Sequence, residues 1–194
     1  MKKTLQEEID VEALLQPENP LEHSLILDPE YARGLMWGKP RFGHPEGKII
    51  FHIREVLDNI DRLFVSEQVR EDLRLIAFVH DTFKHLEDKT EPRDWSKHHG
   101  IIGRHFLEKF DVADKVVLDV IELHDEAYYA WRLNHLYSKP LEGQKRLSAL
   151  LDRMEENLQI YYLFFKCDTR TGDKIQAPVK WFEKTVEGID IISF

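Results

Sequence analysis

Apolar residues recur along most of this chain at helical spacing. Leu73, Ile76, Ala77 and His80 fall at i, i+3, i+4 and i+7, the stripe by which an amphipathic helix meets a core. Ile49, Ile53, Val56, Ile60 and Leu63 form a second such stripe, and His99, Ile102, Gly103, Phe106 and Phe110 a third. Val117, Val120, Ile121 and His124 repeat the spacing, as do Leu158, Tyr161, Phe165 and Asp168. The pattern predicts helices over 4–15, 48–64, 67–84, 97–110, 113–126 and 144–168, with a short last helix from Pro178. Ser66 and Ser96 are the expected N-caps of the third and fourth of these. Residues 16–48, which hold five of the eight prolines, read as irregular chain. Residues 86–95 read as a charged loop and 127–143 as a second connection broken by Pro140 and Gly143. Strand-like alternation is scarce. The expected fold is all-α, a single-domain helical bundle with additional N- and C-terminal helices.

The same stripes contain residues that a core does not welcome. His80 stands where a leucine would be expected, Asp81 follows it, and Lys84 lies about one turn further on. His52 flanks the first stripe, His99 opens its own, and His124 and Asp168 close theirs. Five helices thus each direct at least one metal-capable side chain inward. A single inward histidine is more often a hydrogen-bonded core residue than a ligand. Four histidines and two aspartates in register are poorly explained as independent accidents. Imidazole with carboxylate suits Mn, Fe, Co, Ni or Zn as the divalent ion, and the absence of cysteine ligands argues against structural zinc. Six ligands are too many for one catalytic ion with open positions and suit two ions sharing a carboxylate. His98 competes with His99, but only His99 has the apolar spacing. Asp152 competes with Asp168, which the stripe Leu158, Tyr161, Phe165 places inward.

Composition narrows the partners. A net charge of −9 over 194 residues argues against broad nucleic-acid binding, though a metal could still draw a small anion. The lone Cys167 and the lack of a signal-like or membrane-length apolar run suit a cytoplasmic protein without membrane attachment.

The order His52, His80-Asp81, His99, His124, Asp168 resembles the H…HD…H…H…D pattern of the HD-domain metal-dependent phosphohydrolases. HDTFK matches that family's HD-x-x-K and HGIIG its H-x-x-x-G. HPEGKIIFH and FFKCDTR look like the HD portion of bacterial tRNA nucleotidyltransferases. The resemblance implies an HD domain over 44–172, between extensions at 1–43 and 173–194. It also implies two divalent transition-metal ions, one held by His52, His80, Asp81 and Asp168, the other by Asp81, His99 and His124. The expected activity is hydrolysis of a phosphomonoester or phosphodiester, from a nucleotide or similar small phosphate ester, by a hydroxide generated at the metals. Asp81 bridges in that scheme and Lys84 is the expected phosphate contact, with Arg170 and Arg93 weaker candidates. Trp37, Trp95 and Tyr128 could stack a base. Two alternatives stay open: a di-iron oxygenase on the same ligand set, and a non-catalytic binding or signalling module.

Overall fold

The computed structural model describes residues 9–193, so residues 4–8 of the first predicted helix lie outside the described chain. What is described there is α1 (Val11–Leu15), followed by α2 (Pro20–Leu27) and α3 (Pro29–Leu35) in the stretch expected to be irregular. The prolines of that stretch start helices and do not break them. Pro20 and Pro29 occupy the first turns of α2 and α3, while Asn19 and Asp28 accept the orphan N–H groups from the capping position.

The main bundle is α4 (Ile49–Ile60), α5 (Glu67–Val79), α6 (His99–Glu108), α7 (Lys115–Leu123), α8 (Glu126–His135), α9 (Pro140–Met154) and α10 (Leu158–Thr169), with α11 (Ala177–Thr185) after it. No strand occurs among the described residues. Leu73, Ile76 and Ala77 on α5 are fully buried, as the stripe requires. Burying one such aliphatic side chain is worth about 1.5–3 kcal/mol.

Several boundaries differ from the sequence reading. The connection expected at 127–143 is largely helical, because Pro140 begins α9 at its first turn and Gly143 lies inside it. A Cβ on Gly143 would stand 2.5 Å from Asn134 Oδ1 and 2.9 Å from the Ala130 carbonyl, so glycine here permits close approach of α8 and α9. The single helix expected at 144–168 is two, separated by a 3-10 turn at Glu155–Asn157 where Glu155 takes a positive φ of 45°. α5 stops at Val79, five residues early, and the chain continues from His80 in tight turns with i→i+3 hydrogen bonds. Ser66 caps α5 as expected. Ser96 does not cap α6: it lies in a 3-10 turn, and His98 Nδ1 accepts the Gly100 N–H at the capping position instead.

The N-terminal helices are tied to the bundle. Arg74 on α5 makes a buried two-pronged pair with Glu22 on α2, at 3.1 and 2.9 Å. Tyr31 on α3 donates to the Phe78 carbonyl at 2.9 Å, and Gly34 presses against the Thr82 carbonyl. The chain after α5 is therefore held from outside as well as from the core.

Candidate metal centre

The six residues picked out by sequence lie together, arranged in two groups about Asp81. On one side His52 Nε2 is 3.5 Å and His80 Nε2 3.6 Å from Asp81 Oδ2. Asp168 Oδ1 joins them, 2.9 Å from His52 Nε2 and 3.8 Å from His80 Nε2. On the other side His99 Nε2 and His124 Nε2 are each 3.3 Å from Asp81 Oδ1 and 3.1 Å from one another. Asp81 is 2% exposed, yet its Oδ1 has no hydrogen-bond partner among the described residues. Buried acceptors are rarely left so. Two imidazole nitrogens converging on an unsatisfied carboxylate oxygen are an arrangement that a cation would complete. His52, His80 and Asp81 form one group able to hold an ion, and Asp81, His99 and His124 another.

The partner at Nδ1 decides which ring nitrogen His80, His124 and His99 offer. His80 and His124 both lie just beyond a helix end, and their Nδ1 atoms donate to the carbonyls of Ala77 (2.9 Å) and Ile121 (2.8 Å). His99 Nδ1 lies 3.1 Å from the Glu87 carboxylate. A proton spent on Nδ1 leaves the lone pair of Nε2 facing the centre. His98 has the opposite tautomer. Its Nδ1 accepts the Gly100 N–H, so its proton sits on Nε2, which faces Tyr129 Oη at 3.2 Å. The choice between His98 and His99 thus rests on tautomer as well as on spacing. Asp152, the rival of Asp168, is exposed.

Protonation follows the same plan. Burial holds His80 down to about 3, so it is a neutral imidazole. Burial works against ionising Asp81, but the Lys84 ammonium holds its carboxyl well below the ordinary range. For Asp168 burial is likewise outweighed, by Lys174 and His52. Burial opposes charge on His124 too, yet Asp125 and Asp81 raise it to about 9. The negative field that attracts a proton to His124 Nε2 would equally attract a metal, which must displace that proton.

Several neighbours gave no signal in the stripes. Glu87, from the charged loop, is held near 2 by His99 and Arg93 against the effect of burial, and it orients His99. His44, assigned to irregular chain, does lie in a loop, but its Nδ1 is 2.9 Å from Glu46 Oε1, which is 3.5 Å from His52 Nδ1. Asp125 lies 3.5 Å from His99 Nε2 and accepts from Tyr129 at 3.1 Å. Its one readable trace was that His124-Asp125 repeats the His80-Asp81 dipeptide.

Lys84 is bonded to Asp81, in the stretch where the chain has left the α-helix. A cavity of about 460 Å³ opens from the centre, and Lys84, Arg41, Lys89, Arg93, Arg132 and Lys174 contribute cations to its wall. Trp37 and Tyr128 line it, whereas Trp95 and Arg170 do not. The guanidinium groups of Arg93 and Arg146 lie over the Trp95 ring, at 4.5 and 4.6 Å from its centroid. Among the described residues no helix is long and apolar enough to cross a membrane.

Comparison with known proteins returns a family and no individual relative. Neither the curated proteins nor the solved structures include one with significant similarity to this chain. The family model of the HD domain matches residues 49–157, more than half of the chain, and spans His52, His80, Asp81, His99 and His124 but not Asp168. Members of that family are generally metal-dependent hydrolases that bind divalent metals. With the helical bundle, the clustered histidines and aspartates and this match, the chain belongs to the HD-domain family.

Proposed function

We propose that the chain is a phosphohydrolase with a dinuclear centre, cleaving a phosphomonoester or phosphodiester bond of a nucleotide or similar small phosphate ester that enters the cationic cavity. The observation that carries this reading is the convergence of four histidine Nε2 atoms on the two oxygens of a single buried aspartate, with Asp168 beside His52 and His80. His52, His80, Asp81 and Asp168 would hold one divalent transition-metal ion, and Asp81 with His99 and His124 the other. When bound, the ions supply Lewis acidity toward a phosphoryl oxygen and lower the pKa of water.

The chain's own residues do the rest. Lys84 stands at the cavity wall, positioned through Asp81, and meets a non-bridging phosphate oxygen. Lys174, 2.8 Å from Asp168 Oδ1, offsets the second carboxylate on the same side. Glu87 fixes His99, and the carbonyls of Ala77 and Ile121 fix His80 and His124, so little reorganisation is needed when substrate arrives. The aromatic residues Tyr129 and Phe165 complete the wall.

The test is hydrolysis of p-nitrophenyl phosphate and bis(p-nitrophenyl) phosphate by protein loaded in turn with manganese, iron, cobalt, nickel and zinc. Release of nitrophenol that is lost on Asp81→Ala supports the reading. Inactivity toward both esters with every metal, while oxygen is consumed by the iron form, would replace it with oxidative chemistry.

A further inference from the structure

The cavity over the metal centre does not end there. A second cavity of about 550 Å³ adjoins it and shares Trp37, Arg41, His44, Lys84 and Lys89 with it. Lys39 adds a fourth cation to the second chamber, whose single lining carboxylate is Glu46. Glu46 is already engaged by His44 at 2.9 Å. Lys39, Arg41 and Lys89 form no ion pair with any described carboxylate, whereas Lys84 is paired with Asp81. Lys89 instead rests over the Trp37 ring, 5.0 Å from its centroid. Uncompensated cations gathered in one chamber are unexpected in a chain of net charge −9.

The loop that carries Lys39 and Arg41 is built to a defined shape. The Ile49 N–H donates to the Trp37 carbonyl at 2.9 Å and closes the loop at its base. Gly38 and Gly47 have φ of +115° and +80°, and a Cβ on Gly38 would stand 2.2 Å from the Gly47 carbonyl oxygen. Only glycine tolerates both conditions. At the tip, the Gly43 N–H donates to Asp173 at 2.6 Å, which docks the loop beside the end of α10. The loop therefore spans from Glu46, next to His52, across to the Asp168 side.

From these observations we infer that the chamber around Trp37 is a second anion subsite, and that the substrate carries two phosphate-like groups. This rests on the phosphohydrolase reading for the group that enters the metal centre. One group sits at the centre with Lys84. The other sits among Lys39, Arg41 and Lys89, which select bisphosphorylated or polyphosphorylated esters over simple monoesters. Cationic side chains without acidic partners meet such a group with no ion pair to break first.

The experiment is isothermal titration of the metal-loaded, full-length protein with alkylphosphonates and with α,ω-alkane bisphosphonates of graded spacer length. These probes are not hydrolysed, so binding is read apart from turnover. The best bisphosphonate should bind at least about tenfold more tightly than its monophosphonate. In the double variant Arg41→Ala/Lys89→Ala that advantage, taken against the monophosphonate affinity of the same variant, should fall to about twofold. Both side chains are exposed, so the fold tolerates the change. A bisphosphonate no tighter than the monophosphonate for every spacer, or an advantage that survives the double substitution, overturns the subsite alone. Failure of monophosphonates to bind at all would count against the phosphohydrolase reading and take the subsite with it.

Discussion

The chain contains the same dipeptide twice in nearly the same local setting. His80-Asp81 follows α5 and His124-Asp125 follows α7; each histidine donates through Nδ1 to the carbonyl three residues back. Each turn is backed by a glycine of a neighbouring element: Gly34 against the Thr82 carbonyl, Gly100 against those of Ile121 and Glu122. The aspartates nevertheless differ. Asp81 is buried and faces two groups of histidines, while Asp125, partly exposed, lines the cavity and accepts from Tyr129. Local geometry aims the histidines. The place of each turn in the bundle decides what its aspartate does.

Removing the two carboxylates should separate them most sharply. Asp81→Ala takes a ligand from both groups, so metal content should drop from two ions toward none and turnover should fall by at least about 10³-fold. Asp125→Ala should keep two ions and weaken the one at His99 and His124 by about 10–100-fold at most, as loss of an outer partner does. Metal analysis and kinetics on the two variants, with circular dichroism as the folding control, check both. Equal loss from the two would show that the dipeptides are equivalent after all.

Next in size is the contrast between adjacent histidines. His99→Asn should lose one ion, whereas His98→Asn should keep both, since asparagine retains the helix cap and the Nε2 of His98 already carries a proton. Ion loss from His98→Asn in a folded protein would reverse the tautomer assignment.

These contrasts also mark how far the sequence could be read. The period of 3.6 places His80, His99, His124 and Asp168 inward because each shares a face with apolar residues that the core requires, and it puts His52 on the flank of such a face. Asp81 is one residue off its stripe, and adjacency to His80 was its only signal. Glu87 and Glu46 reach the centre from loops, where no periodicity reports which way a side chain turns. The pattern hides α8 because Pro140 and Gly143 resemble breakers when the neighbouring helix is not in view. The break at Glu155 involves neither glycine nor proline, so no residue type announced it. The second His-Asp dipeptide was legible in principle, but its chemistry depends on the position of α7 against α5.

The smallest effects should come from the glycines behind the two turns. Gly34→Ala and Gly100→Ala each force backbone apart and should cost about 1–3 kcal/mol, lowering Tm by about 2–4 °C per kcal/mol. Their consequences for metal should differ. Ile121, which Gly100 touches, is the acceptor for His124, so Gly100→Ala should also weaken the ion at that group. Gly34→Ala presses on Thr82, the residue after Asp81, and should weaken both ions. Thermal denaturation with and without added metal separates the two.

The most direct measurement is elemental analysis of the full chain, purified without chelator, reconstituted with a divalent transition metal and desalted. Two groups of donors sharing Asp81 predict two ions per chain, falling to one in His99→Asn. One ion in the unaltered protein would contradict the bridging role of Asp81, and none would contradict the metal centre itself.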